Sequence, residues 1–167
     1  MAMPVISGGV TITESFNKAN DGLGPDLTWT SVVGTWKVIA NECDASAADD
    51  AAARVGPALD SDDQRAELRA ITVAAFGFIG PATRFSATAT TYYRARARAA
   101  AQDDLYIDKV VAGAITNIST TALVYNVPIT VRLESDGSSH TLFLDDVSRL
   151  GPSTDTEITG NLRTGII

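Results

Sequence analysis

Three arginines spaced two apart, Arg94, Arg96 and Arg98, follow directly on Tyr92-Tyr93. On a strand, alternate residues share a face, so the three guanidinium groups would form a ladder with steps of about 7 Å. A ladder of planar, forked donors can grip a carboxylate, a phosphate or an acidic partner surface. Cross-strand pairing with Asp, Glu or Thr, plus solvation, is the simpler use of the same residues. Replacing all three with threonine is expected to leave the fold largely intact, because threonine suits a strand. Tyr92, Tyr93, Tyr106 and Tyr125 add rings that suit the apolar face of a sugar. The same alternation turns Tyr93 toward the core with Ala95, Ala97 and Ala99, and core is the default for each tyrosine.

Carboxylates come next. Asn20 and Asp21, and the pair Asp145-Asp146, have the oxygen donors that calcium accepts if they lie in turns. Aspartate is also common in turns because it bonds nearby backbone N–H groups. Glycoside hydrolysis needs two carboxylates about 5–5.5 Å apart for retention, or about 6.5–9.5 Å for inversion. A Glu-x-Asp-x-x-Glu strand would help supply them, and the chain has none. Glu67 stands between Arg65 and Arg69 in its alternating segment, which reads as charge pairing on a solvated strand face. His140 follows Ser138-Ser139 with no nucleophile elbow nearby, and reads as an exposed hairpin residue. Cys43 is the only cysteine, which excludes an intramolecular disulfide and a thiolate metal cluster.

The elements that must carry these residues read as strands. Short β-type runs recur at Thr11–Phe16, Thr35–Ala40, Ala51–Val55, Gln64–Val73, Phe76–Phe85, Thr91–Ala99, Leu105–Ala112, Ile115–Thr120, Ile129–Glu134 and His140–Leu144. A further one is expected from Ile158 onward. Turn residues separate them, and Asp136-Gly137 between two alternating segments is the clearest hairpin signal. The Ala-rich stretches 44–53 and 94–102 also have helical propensity, and for the second the strict alternation favours a strand. Phe16, Trp29 and Trp36 fall close together between turn signals, as in the opening hairpin of a β-sandwich with aromatics between its sheets.

The chain's 167 residues suit one domain, spanning 1–167 with 1–10 as an N-terminal arm. A formal net charge of −7 argues against nucleic-acid binding, which needs phosphate-neutralising Lys and Arg. No segment approaches the roughly 20 apolar residues of a membrane span. Met1 to Gly9 lacks the basic start and apolar run of a secretion signal, so synthesis in a cytoplasm is expected.

The order of these features resembles the concanavalin A-like (laminin-G-like) jelly-roll superfamily, as carried by virion proteins of phages infecting actinobacteria. The matching residues are Glu14-Ser15-Phe16-Asn17, Asp21-Gly22, Trp29, Gly34-Thr35-Trp36, Gly77-Phe78, Arg84-Phe85-Ser86, Tyr92-Tyr93, Leu105-Tyr106, Lys109 to Gly113, Asp145-Asp146 and Thr159-Gly160. The resemblance implies an all-β, antiparallel jelly-roll sandwich. It also implies a non-enzymatic place on a virion surface, as a minor tail or capsid decoration protein, with other virion proteins and further copies of itself as partners. A cell-surface glycan is a further expected ligand, and calcium near a sheet edge a possible cofactor. A free carbohydrate-binding module is the alternative, with a glycoside hydrolase behind it. Such domains usually close with a strand after the segment resembling Thr159–Ile167, so an open sheet edge and assembly contacts are expected at Ile167.

Overall fold

The computed structural model describes residues 3–7, 10–14, 28–33, 35–39, 42–46, 52–56, 58–70, 78–98, 104–126 and 128–167. Alternating apolar and polar residues make these segments strands, and no helix occurs among the described residues. In chain order they are β1 (Met3–Ser7), β2 (Val10–Glu14), β3 (Thr28–Val33), β4 (Thr35–Ile39), β5 (Glu42–Ser46), β6 (Ala52–Gly56), β7 (Gln64–Ala70) and β8 (Phe78–Ile79). There follow β9 (Pro81–Phe85), β10 (Tyr92–Arg98), β11 (Asp104–Val111), β12 (Ala114–Ala122), β13 (Ile129–Asp136), β14 (Ser139–Leu144), β15 (Val147–Thr154) and β16 (Arg163–Ile166).

Two antiparallel sheets form a sandwich. One runs β15-β14-β13-β7-β1-β2; the other runs β12-β11-β10-β9-β16-β6-β3, with β8 also on β10. Strands β4 and β5 pair separately as a hairpin. The core lies between the sheets, where Leu68, Val131, Leu133, Leu142 and Leu144 of the first meet Tyr93, Ala95, Ala97, Leu105 and Ile107 of the second. The inward turn of Tyr93, Ala95 and Ala97 is the one expected from their spacing. The second sheet is buried on its outer side as well, where Phe85 stacks on Tyr92 with ring centroids 4.2 Å apart beside Ala52, Ala82, Val110 and Ile167.

Several expectations are corrected here. The C-terminal strand β16 is not at an open edge: it lies between β9 and β6, and Ile167 exchanges both backbone hydrogen bonds with Gly80. Gly165 permits this central position, because a Cβ there would lie 2.3 Å from the Ala53 carbonyl and 2.8 Å from the Phe85 ring. Residues 3–7, inside the expected N-terminal arm, form β1 between β2 and β7. The single run Phe76–Phe85 is divided at Gly80, whose missing Cβ would meet the Ala95 carbonyl at 1.7 Å. Of the opening aromatics, Trp29 packs half-buried against the core, Trp36 lies on β4, and Phe16 lies outside the described residues.

Candidate functional site

The arginine ladder lies on the outer face of the second sheet, opposite Tyr93, Ala95 and Ala97, and is engaged there by the chain's own carboxylate. Strands β10 and β11 pair Arg94 opposite Asp108, and the burial of Asp108 is complete. Arg94 Nε donates to Asp108 Oδ2 at 3.1 Å, Arg96 Nε lies 2.5 Å from the same oxygen, and Asn117 Nδ2 donates to Oδ1 at 3.0 Å. Arg96 is held further by the rings of Phe78 and Tyr106, whose centroids lie 4.2 and 4.8 Å from its Cζ. Arg98 ends β10 opposite Asp104. Tyr92, proposed beside them as a contact residue, is buried against Phe85. Charge pairing across the ladder was one of the two readings of this segment, and it holds for Arg94 and Arg96; the solvation expected with it does not hold for Arg94, and Tyr92 takes the buried position that was the default for each tyrosine. A triple change to threonine would therefore strand Asp108 rather than spare the fold.

The acidic turn candidates are also engaged. Asp145 and Asp146 both adopt positive φ, at 45° and 65°, in the turn between β14 and β15. Asp145 Oδ1 accepts from Thr130 N at 2.9 Å, and Asp146 forms a close ion pair with Arg132 Nη1. Asn20 and Asp21 lie outside the described residues. No cluster of three His, Cys, Asp or Glu suited to a metal occurs among the described residues. Three backbone carbonyls do converge, from Asp62, Gly137 and Ile158, but the Arg84 guanidinium fills that space and donates to all three.

His140 is fully buried, because β14 places it on the inward face with Leu142 and Leu144. That was readable from its alternating segment and was missed because the turn at Asp136-Gly137 suggested exposure. Its contacts settle the tautomer. Nε2 faces the Asp155 carbonyl at 3.3 Å, which can only accept, so Nε2 carries the proton. Nδ1 then accepts from Ser135 Oγ at 3.0 Å, and Ser135 accepts from Thr83 Oγ1 at 2.7 Å. The three side chains are sealed from solvent, so this serine and histidine tie the sheets together instead of serving a substrate. The neighbouring Asp155 accepts from Tyr93 OH at 2.5 Å and from Lys109 Nζ at 2.6 Å.

Burial pulls the His140 pKa down to about 4; the Asp155 carbonyl works the other way, and the Arg84 charge adds to the fall. For Asp155, burial pushes the carboxyl up, but hydrogen bonds from Lys109, Tyr93 and the Glu157 amide outweigh it and leave it below its usual range. The signs differ in their windows. Unfolded His140 binds a proton near pH 6.5 and the folded residue only near 4, so its stabilising effect is present above 6.5 and lost as pH falls toward 4. Asp155 adds a loss below the unfolded carboxylate value of 3.8. Lowering the pH from about 7 to about 5 should cost roughly 2 kcal/mol through His140 alone. Urea midpoints of the native chain and His140→Gln would check this: the pH slope over that interval should be markedly shallower in the variant.

The outward face of the six-stranded sheet carries a different arrangement, and here the solvent has access. Register places Glu67 opposite Arg132 and Arg132 opposite Phe143, while Arg65 lies opposite Glu134 and Glu134 opposite Thr141. Arg132, itself nearly buried, stacks its Cζ 4.1 Å from the Phe143 ring centroid. Its Nε lies 3.0 Å from Glu134 Oε1, and its Nη1 faces both Asp146 and, at 3.7 Å, Glu67 Oε2. Arg65 Nη2 donates to Glu67 Oε2 at 2.9 Å. The charge pairing expected around Glu67 is therefore present, and it extends across β7 and β13 to the turn between β14 and β15. Exposure rises outward through the cluster, with the Glu134 side chain 38% and that of Asp146 82% accessible. The result is a shallow platform of fixed acceptors and forked donors beside one aromatic ring. Sequence inspection missed it because Arg132, Phe143 and Asp146 converge on Glu67 only through strand pairing.

No protein-family model matches the chain. No curated protein sequence matches it. Among solved structures it is similar to the carbohydrate binding module CBM66 from Bacillus subtilis, with a TM-score of 0.68 and 18% identity. The likeness covers 83% of this chain and 86% of that one. At that identity it establishes the fold, an all-β jelly-roll sandwich of two antiparallel sheets.

Proposed function

We propose that this chain is a non-catalytic carbohydrate-binding domain whose ligand lies on the Arg132–Phe143 platform. The observation that carries the reading is the pre-ordered ion network of Arg65, Glu67, Arg132, Glu134 and Asp146 on the solvent side of the sheet. Vicinal sugar hydroxyls are donors and acceptors at once, so they suit carboxylates and guanidinium groups already held in place. The Phe143 ring supplies the apolar side of such a site. The neighbouring fold is that of a protein named as a carbohydrate binding module, which supports the reading. Arg65 and Arg132 of the platform are paired with Glu67, Glu134 and Asp146, and Arg69 lies one pair along the same face opposite Thr130, so the surface is near charge balance and an uncharged glycan fits better than an acidic one.

A screen of neutral and acidic bacterial cell-wall glycans tests this. Saturable binding to a neutral glycan is expected, weakened about tenfold or more, about 1.4 kcal/mol, by Phe143→Ala or Glu134→Gln. Flat profiles across the neutral glycans would sink the proposal. The virion setting implied by the sequence resemblance extends this reading: a surface adhesion domain of a phage particle would use the platform on its host's wall. On that extension the chain co-purifies with particles, and its absence from them removes the virion setting while leaving glycan binding to be judged alone.

A further inference from the structure

Assembly was expected at the C-terminal strand, and β16 is closed on both sides. Open edges lie elsewhere: among the described strands β12 and β3 end the larger sheet and β15 and β2 the other, and β12, at nine residues, is the longest of the four. Strand β12 pairs only with β11, so one row of its backbone N–H and C=O groups is bonded to no other described strand. Open edges are ordinarily blunted by charge, proline or short length. The opposite sheet follows that rule at β15, which carries Arg149 and Pro152. Strand β12 does not: it runs nine residues, Ala-Ile-Thr-Asn-Ile-Ser-Thr-Thr-Ala, with no charge, proline or glycine. The neutrality is wider than the strand. From Val110 to Val131 no Asp, Glu, Lys or Arg occurs, although a fifth of the chain is charged. Much of this stretch is nevertheless on the surface, with Ile115 47% and Val124 82% exposed.

We infer that β12 is a self-association edge, pairing antiparallel with β12 of a second copy about a two-fold axis. The occupant follows from charge and symmetry. Each copy carries a net charge of −7, so two copies repel unless they meet through neutral surface, and β12 is such a surface. An antiparallel strand paired with itself is self-complementary and closed, giving a dimer and not a fibre. Its Thr, Ile and Ser residues are well suited to cross-strand neighbours. The dimer joins the two larger sheets into one continuous sheet and leaves the Arg132 platform of each copy open. A single strand pair is a small interface, so the dissociation constant is expected on the order of 10 µM.

Sedimentation velocity over a concentration series of the native chain tests this beside Thr116→Lys/Ala122→Lys, which places lysines at two exposed β12 positions. The native chain should pass from monomer to dimer across the series. The double variant, with far-UV circular dichroism unchanged, should dissociate at least about tenfold more readily. Hydrogen exchange of the native chain supplies a reading that needs no variant: β12 amides gain protection as concentration rises. A native chain that stays monomeric to about 200 µM overturns the inference and leaves the edge to a strand of another protein. A well-folded double variant that remains dimeric, or protection gained elsewhere than β12, overturns it too.

Discussion

Replacing Asp108 with alanine is expected to lower the thermal midpoint by roughly 10 °C, one of the two largest effects predicted for a single change in this chain. Asp108 is fully buried and compensates the Nε atoms of Arg94 and Arg96 while accepting from Asn117. Its removal leaves the chain with two guanidinium groups that lose their shared carboxylate in a poorly solvated place. Breaking a buried ion pair by deleting one member costs about 3–5 kcal/mol, because the surviving charge keeps its desolvation penalty. A domain of this size loses about 2–4 °C per kcal/mol. Calorimetry of Asp108→Ala, Arg96→Met and the double variant forms the appropriate cycle. The double variant should be less destabilised than the sum of the singles, since Arg96→Met removes one of the charges that Asp108→Ala strands. Simple additivity would show that Asp108 and Arg96 act independently, contrary to their 2.5 Å contact.

Arg84→Met should be comparably damaging, by about 3 kcal/mol or more. Arg84 sits in β9 with φ of 50°, and the opposing strand β16 shifts register between Arg163 and Gly165. That bulge turns Arg84 toward the core side, where it lies 5.7 Å over the Tyr93 ring. From there it donates to Asp62 O at 2.9 Å, to Ile158 O at 3.1 Å and, closely, to Gly137 O. Methionine fills much of the volume but leaves three carbonyl acceptors without this donor, and each lost partner costs on the order of 1 kcal/mol. Lysine keeps the charge, yet a single ammonium on a flexible stem cannot reproduce the fork, so Arg84→Lys should recover less than half of the loss. Limited proteolysis offers a separate readout, with new cleavage expected at residues 58–63 and 155–162, the segments whose carbonyls Arg84 gathers. If Arg84→Met melts with the native chain, the fork is not holding those segments.

The buried His140 and the open platform around Arg132 lie on opposite sides of one sheet, and alternation alone explains the division. Leu142 and Leu144 share the inward face with His140, while Thr141 and Phe143 take the outward face. The same rule was visible in the sequence for Tyr93, Ala95 and Ala97, and it gave the right inward face there. It was not applied to His140, where the neighbouring turn suggested a solvent position. Glu67 shows the complementary case: its charged surroundings were evident from Arg65 and Arg69, but its contact with Arg132 was not.

Local pattern by itself determined the β class, most strand positions, the Asp136-Gly137 hairpin and the face on which each residue of an alternating segment lies, because these depend on neighbours a few residues apart. It did not reveal β15, where Gly151-Pro152 breaks the pattern, and although Gly80-Pro81 is a turn signal it left Phe76–Phe85 as a single run where the structure has two strands. Only the tertiary structure decided which strands are central and which are edges. That choice changed the meaning of two segments: β16, expected to be open, is enclosed between β9 and β6, and β12, read in the sequence only as a strand, is an edge. It also decided that the Arg94 ladder meets an internal Asp108 and that Arg132, Glu67, Glu134 and Asp146 form one surface. The physical reason is that strand order and register join residues far apart in the chain, and no local spacing encodes which carboxylate will face which arginine.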